Sequence, residues 1–318
     1  MVTVIIPNYN GHAFLAECLE ALEPQLNDKV HVLVVDNNST DGSVEFLQNY
    51  KGIKTCFLPK NTGFCGAVNA GILASNTKYV ILLNNDTKVL PGYVDSLVEA
   101  MEQDENIFSG SARMLQMHAP ELIDDAGDEY CALGWAFARG KGKQKTQYEK
   151  AADVFAACGG ASIYRRAVFE EIGLFDENHF AYLEDIDIGY RARIYGYRNI
   201  YVPKAQVLHF GSGTSGSRYN AFKVSLSSRN SVYLPWKNMP LVQLILNAPF
   251  LAVGYLTKYL FFVKKGLGNE YRKGFAEGLQ ICRKQECKVR KVGGLGRHLK
   301  FYCQIQLLLW KNLFRLEH

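Results

Sequence analysis

The chain has 318 residues, 48% of them hydrophobic and 21% charged, with a formal net charge of +5. That composition is globular, and the length accommodates two domains of about 150 residues or one large one, with a full core in either case. A disordered chain, a collagen and a small disulfide-stapled secreted scaffold are excluded.

The charge divides unevenly. Residues 264–318 hold 13 Lys/Arg against 4 Asp/Glu, net +9, leaving net −4 on residues 1–263. A basic C-terminal tail on a slightly acidic body points to attraction to nucleic acid or anionic lipid, with a solvated basic helix face as the alternative. Eight cysteines (Cys18, Cys56, Cys65, Cys131, Cys158, Cys282, Cys287, Cys303) show neither paired metal-ligand spacing nor the density of a disulfide framework, and read as reduced thiols of a cytosolic protein. The first residues enter an apolar run without a basic n-region or cleavage site, so no signal peptide is expected, and Leu316-Glu317-His318 resembles the stub of an expression tag.

In chain order, Val2 to Ile6 is a buried strand stopped by Pro7, and Ala13 to Leu22 has helical apolar spacing. Val30 to Val35 is a second strand, followed by the polar turn Asp36 to Gly42, rich in N-cap residues, and a helix around Val44 to Gln48. Ile53 to Leu58 is a third strand, Ala67 to Ala74 a third helix, and Tyr79 to Leu83 a fourth strand running into Asn84-Asn85-Asp86. Pro91 suits the first turn of the next helix. This βαβαβαβ order predicts an α/β fold with a mostly parallel sheet, in which polar residues cluster past the carboxyl ends of strands, where ligands bind.

From about 104 to 150 the pattern weakens, and Gly140 to Lys145 reads as an exposed, mobile loop. Order returns at Val154. Gly159 and Gly160 sit in an apolar strand-like run to Tyr164, a short helix ends near Gly173, and Leu183 to Tyr195 is a helix stopped by Gly196. Asn199 to Val202 and Gln206 to Phe210 read as two strands. Beyond 230 come long apolar and basic helices. Leu241 to Val263 is mostly apolar but interrupted by Gln243, Asn247, Pro249 and Lys258, which suits a membrane-docking interfacial or hairpin-like segment, with a buried core helix and a true span as alternatives.

Four polar groupings could carry chemistry. Asp36, after the second strand, is placed to accept hydrogen bonds from a ribose or a base, or simply to cap a turn. Asp86 offers hard oxygen to a divalent cation, with His209 as a nitrogen ligand from far along the chain or as a structural residue. Glu184, Asp185 and Asp187 open a helix, where acids also serve as caps. Asp187 faces Arg191 one turn on and can be held by it, which leaves Glu184 or Asp185 as a general base. Gly211 to Gly216 matches a dinucleotide fingerprint literally, but no βαβ unit or acidic partner follows, so it reads as a flexible loop closing over a ligand.

Together, Val2-Thr3-Val4-Ile5-Ile6-Pro7-Asn8-Tyr9-Asn10-Gly11, Val34-Val35-Asp36-Asn37-Asn38-Ser39-Thr40-Asp41-Gly42-Ser43, Asn61-Thr62-Gly63-Phe64 with Asn69 and Gly71, and Leu82-Leu83-Asn84-Asn85-Asp86 resemble the inverting family 2 glycosyltransferases of the GT-A fold. Leu183 to Arg193, with Val202-Pro203 and His209, resembles the rhamnosyltransferase-like branch. The resemblance covers about residues 1–215. It implies a GT-A catalytic domain over 1–215; the basic, apolar helices beyond it read as a membrane-associating region over 216–315, with the tag remnant at 316–318. It further implies that Asp36 contacts a uracil or thymine nucleotide, with Pro7, Tyr9 and Asn61 lining its pocket. Asp86 becomes the metal ligand of the family's Asp-x-Asp motif, here with Asn84 in place of the first acid. His209 lies near the diphosphate or metal, and Gly159 and Gly160 admit the donor sugar. Asp185, or failing it Glu184, becomes the base.

The implied function is transfer of a sugar, best matched by dTDP-rhamnose with UDP-hexoses next, to a lipid-linked glycan, using Mg2+ or Mn2+. The implied place is the cytoplasmic face of an anionic membrane, where self-association into a homo-oligomer is allowed for. A nucleotidyltransferase would need a Gly-rich, Arg/Lys-bearing loop where Asn8-Tyr9-Asn10-Gly11 stands. A non-catalytic membrane scaffold has only the basic tail behind it. Nucleic acid is not an expected partner, for want of aromatics interleaved with basic residues.

Overall fold

The computed structural model describes residues 1–211, 219–284 and 295–316. Most of the Gly211 to Gly216 loop, Cys287 and residues 317–318 lie outside the described residues.

Strands β1 (Val2–Asn8), β2 (Val30–Asp36), β3 (Lys54–Phe57) and β4 (Tyr79–Leu83) pair in parallel in the order β3-β2-β1-β4. Helices α1 (His12–Leu22), α2 (Ser43–Asn49) and α3 (Gly63–Leu73) make the crossovers. The buried positions of α1, Leu15, Cys18, Leu19 and Leu22, fall at helical spacing. They meet Val2, Val4 and Ile6 on one sheet face, while Ile5 packs with Val68 and Ile72 on the other. Burial on both faces explains why the strands read as continuous apolar runs. Strand β1 runs through Pro7 to Asn8. Its ladder to β4 ends at Ile5 opposite Leu82, and its pairing with β2 continues to Asn8 opposite Asp36.

The sheet continues from β4 through β11 (Ala161–Arg165), β6 (Ile107–Gln116) and β12 (Arg198–His209) to β10 (Ala152–Asp153). Strand β5 (Thr87–Val89) pairs with β12 and β7 (Ala119–Asp125) with β6, while β8 (Asp128–Tyr130) and β9 (Ala136–Ala138) form a separate hairpin. Helix α4 (Tyr93–Glu102) begins two residues past Pro91, and α5 (Val168–Ile172) ends at Gly173.

The stretch 104–150 is thus built largely of strands. Gly140 to Lys145 is tied down, with Gly142 N–H donating to the Ile123 carbonyl at 2.8 Å and Ile123 N–H to the Lys143 carbonyl at 2.8 Å. The two strands expected near 200 and 208 are the single strand β12, whose register against β6 shifts between Val202 and Gln206. The Gly159-Gly160 pair lies in the turn before β11 rather than within a strand.

Helix α6 (Glu184–Ile194) presents Ile186, Tyr190 and Ile194 to Tyr130 and Phe155. The same cluster takes in Leu234 and Met239 at the end of α7 (Ala221–Asn238), and Ile305 and Leu309 from α10 (Leu295–Lys311). A Cβ at Gly274 would stand 2.0 Å from the Ser225 carbonyl oxygen, so α9 (Gly268–Arg283) lies directly on the α7 backbone.

Helix α8 (Leu241–Lys264) is continuous through Pro249 and has its polarity reversed. Gln243 and Asn247 point inward, Gln243 accepting from the Tyr190 hydroxyl at 2.7 Å and Asn247 donating to Gln306 at 2.8 Å. Leu241, Val242, Ile245, Leu246, Val253 and Leu256 are exposed. Its length and composition suffice to cross a membrane.

Candidate active site

The strand order reverses direction between β1 and β4, so the crevice past their carboxyl ends is the switch point of the sheet. Side-chain amides stitch the three strand ends there. Asn85 Nδ2 donates to Asn8 Oδ1 at 2.7 Å, and Asn8 Nδ2 donates to Asp36 Oδ2 at 2.8 Å. The other Asp36 oxygen accepts from Ser39 N–H at 2.9 Å, so the residue caps its turn while facing the crevice. Asn61 Oδ1 accepts from Asn37 Nδ2 at 3.0 Å and Gly63 N–H at 2.9 Å, closing the floor of the same crevice. Gly63 has φ +74, and a Cβ there would stand 2.4 Å from the Phe180 carbonyl oxygen, so only glycine starts α3 at this point. Pro7 is half-buried at the end of β1, and Tyr9 is exposed on the rim.

Past β4, Asn84 N–H donates to the Gly160 carbonyl at 2.8 Å, which brings the glycine pair against the strand end. Asp86 is buried, and its Oδ1 has no hydrogen-bond partner among the described residues. His209 Nε2 lies 3.4 Å from that oxygen, while Nδ1 lies 2.7 Å from Asp124 Oδ2. Burial disfavours charge on this ring, but the flanking Asp124 and Asp86 carboxylates outweigh it and push the His209 pKa up to about 9, so a cation binding at Nε2 would displace a proton. An orphaned buried carboxylate oxygen facing an imidazole whose far nitrogen is held by a second carboxylate is a donor set that fits a divalent cation.

A second acidic group adjoins the first. Consecutive residues of β7 serve both, Asp124 reaching His209 while Asp125 joins Asp128 and Cys158, their ligand-type atoms all within 4.8 Å of one another. Asp128 and Asp185, the latter at the start of α6, each act on the other's protonation. Burial raises both of these carboxyls, Asp128 strongly; in Asp185, bonds from the Ile186 and Gly159 N–H groups oppose the rise. Glu184 is buried with Oε2 unpartnered, and burial together with the Asp185 charge pushes it up to about 8. The turn presenting these acids is strained, since Phe180, Tyr182 and Leu183 all have positive φ near +65 (+61, +70 and +67).

Asp187, the third acid of the cluster, is directed away into the protein. Arg191 reaches it at 2.9 Å, as the sequence spacing implied, and Lys237 Nζ at 2.7 Å. The structure therefore brings Asp86 to His209 and Asp36 to the β1 and β4 ends, and leaves Glu184 and Asp185 without a cationic partner among the described residues. Sequence reading missed Asp124, Asp125 and Asp128. Their signal was an acid-rich run set between apolar residues, Leu122-Ile123-Asp124-Asp125-Ala126-Gly127-Asp128, in which all but Leu122 and Gly127 carry buried side chains.

The family model "Glycosyl transferase family 2" matches residues 3–173. The chain belongs to this family. This glycosyltransferase is 27% identical over 246 residues to the N-acetylglucosaminyl-diphospho-decaprenol L-rhamnosyltransferase of Mycobacterium tuberculosis, covering 68% of this chain and 78% of that one. It is 29% identical over 142 residues to the putative teichuronic acid biosynthesis glycosyltransferase TuaG of Bacillus subtilis, covering 40% and 56%. Among solved structures, GalNAc-T7 with UDP, GalNAc and Mn2+ superposes with TM-score 0.60 at 17% identity, over 74% of this chain and 48% of that chain. The mannosyltransferase PcManGT of Pyrobaculum calidifontis, in complex with GDP-Man and Mn2+, superposes with TM-score 0.54 at 15% identity, over 99% and 88%. These likenesses fix the fold of the glycosyltransferase as GT-A.

Proposed function

We propose that this glycosyltransferase moves L-rhamnose from dTDP-rhamnose to a hydroxyl of a growing lipid-linked glycan, inverting the anomeric carbon, with a UDP-hexose as the alternative donor. The observation that carries the reading is the pair of acidic groups at one sheet edge, Asp86 with His209 and Asp124, and Asp185 with Asp125 and Asp128, joined through consecutive residues of β7. The printed activity of the Mycobacterium tuberculosis relative supports the donor sugar and a diphospho-lipid acceptor.

In this reading Asp36, Pro7, Tyr9 and Asn61 hold the nucleoside, and Asn84, Gly159 and Gly160 border the donor sugar. Asp86 and His209 would hold Mg2+ or Mn2+, which when bound neutralises charge on the departing diphosphate. Asp185 takes the proton of the acceptor hydroxyl as that oxygen attacks the anomeric carbon from the face opposite the diphosphate, and the displacement inverts the centre. Glu184, with its pKa raised to about 8, keeps its proton at neutral pH, which favours Asp185 as the base.

Residues 1–215 serve as the catalytic domain and 216–315 as the docking region, on the cytoplasmic face of the membrane. Support comes from the outward apolar row of α8, whose polar residues are used internally, and from Lys264 and Lys265 at its end. Such a helix lies in the interface with basic residues toward anionic lipid. The test is release of nucleoside diphosphate from a panel of donors with Mn2+ or Mg2+. Release from dTDP-rhamnose above the UDP-hexoses is expected. Release from UDP-hexoses alone would overturn the donor, and release from none would overturn the activity.

A further inference from the structure

Aromatic side chains run in a row from the strained turn before α6 to a groove between α8 and α9. Phe180, in that turn, meets Phe222 of α7 with ring centroids 6.2 Å apart. Three residues before Phe222, Tyr219 meets Phe261 and Phe262 of α8 at 5.6 and 5.7 Å, and Phe262 stacks on Tyr271 of α9 at 5.6 Å. Tyr271 borders a groove of about 360 Å³ whose other walls are Tyr255, Leu256, Tyr259, Arg272 and Phe275. The middle of the row is open to solvent, with Phe222 56%, Tyr219 37% and Phe261 40% exposed. Tyr271 is its buried end, and the Tyr271 hydroxyl makes no hydrogen bond among the described residues. Contiguous exposed rings of this kind mark a binding surface.

Position and charge select the occupant. Asn230 Nδ2 of α7 donates to the carbonyls of His179, Ala181 and Tyr182 at 2.9, 2.9 and 2.7 Å, and the carbonyl of the next residue, Ser231, accepts from the Tyr255 hydroxyl at 2.9 Å. One helix therefore separates the groove from the turn that presents Glu184 and Asp185. That helix carries Lys223, Arg229 and Lys237 and no acid. Lys237 is spent on Asp187, whereas Arg229 holds the carbonyls of Asn178 and His179 and makes no salt bridge among the described residues. At its far end the groove shares Leu256 with the outward apolar row of α8. Positive charge beside the acid-bearing turn, with an apolar track leading from it to the membrane-facing helix, matches an amphiphile whose anionic group lies next to the reacting sugar.

We propose that this row is the track for the isoprenoid chain of the acceptor. The chain lies on Phe222, Tyr219 and Phe261 and ends in the groove at Tyr271, while the diphosphate that joins it to the sugar lies against Lys223 and Arg229. The inference rests on the reading of the acceptor as a diphospho-lipid glycan. Ring faces suit the flat, methyl-bearing isoprene units, and a chain held there leaves the sugar hydroxyl as the part that reaches Asp185.

The test is calorimetric titration, without donor or divalent cation, with farnesyl diphosphate and with inorganic diphosphate. Farnesyl diphosphate is expected to bind the wild type about 100-fold more tightly than inorganic diphosphate, and Phe222→Ser with Phe261→Ser to remove at least about 10-fold of that gain. Leu246→Glu, on the outward row of α8, is expected to leave it intact. Equal affinity for the two probes, a double variant at wild-type affinity, or the same loss in Leu246→Glu would each overturn the proposal. Should the double variant not fold, judged by dTDP binding, Phe222→Ser alone decides. Failure of the parent reading looks different, as a wild type that transfers sugar to no diphospho-lipid. Transfer to a diphospho-lipid with acceptor KM unchanged in the double variant would overturn the track alone.

Discussion

Lys237 Nζ lies 2.7 Å from Asp187 Oδ2, and both side chains are buried. Asn238 Nδ2 donates to the other Asp187 oxygen at 2.7 Å, and Arg191 adds a second cation. Burial opposes charge on Asp187, but Lys237 and Arg191 hold its carboxyl far below the usual range. The ion cluster therefore clamps the first turn of α6, with Glu184 and Asp185 on it, to α7.

Removing one partner strands the other charges in the interior. Lys237→Met should cost about 3–5 kcal/mol of stability by denaturant unfolding. An unchanged midpoint would mean that the cluster does not anchor the site.

Glu184 gives a pH dependence of definite sign. The native state keeps its proton up to about 8, whereas the unfolded chain releases it near 4.5, the ordinary glutamate value. Over that window the folded form binds the extra proton, so its contribution to stability falls as pH rises. Glu184→Gln should raise stability at pH 8 by on the order of 4 kcal/mol relative to its effect near pH 4, with transfer retained. Loss of transfer on the scale of Asp185→Asn would make Glu184 the base instead.

Asp185 is raised by burial, so the acid limb of kcat/KM should lie above the ordinary aspartate range. Asp185→Asn should cost at least about 100-fold in kcat while dTDP still binds. A limb that persists unmoved in the variant would assign it to another group.

Among the described residues Asp86 Oδ1 makes no hydrogen bond, so Asp86→Ala should change the melting temperature little while removing stimulation by Mn2+. Titration of the variant with Mn2+, followed by calorimetry, checks this. Wild-type binding heat would rule out Asp86 as a ligand.

The outer face of α8 offers a separate check. Leu246→Glu with Leu256→Glu should abolish co-sedimentation with anionic vesicles at low salt and leave solution activity on a soluble acceptor unchanged. Undiminished binding would move the membrane contact elsewhere.

The parallel half of the sheet was legible because Val2 to Ile6, Val30 to Val35 and Tyr79 to Leu83 are buried on both faces and separated by stretches of helical apolar spacing. The middle of the chain was not. Asp124, Asp125 and Asp128 are buried although they are acids, so a run that forms strands carries the polar signature of a loop. Strand β12 read as two because Pro203 and Lys204 fall at its register shift. In α8, Gln243 and Asn247 looked like interruptions of an apolar helix, whereas contacts with Tyr190 and Gln306 make them its inner face. The order of motifs exposed Asp36, Asp86, Asp185 and His209, but the link between the two acidic groups arises only when β7 folds between them.

The most direct measurement incubates the wild-type chain with dTDP-rhamnose, a divalent cation and an N-acetylglucosaminyl-diphospho-lipid, and determines the mass and anomeric configuration of the lipid product. The account predicts addition of one rhamnose with inverted configuration, lost in Asp185→Asn. A product of retained configuration, or a lipid left unmodified while another acceptor class is glycosylated, would contradict it.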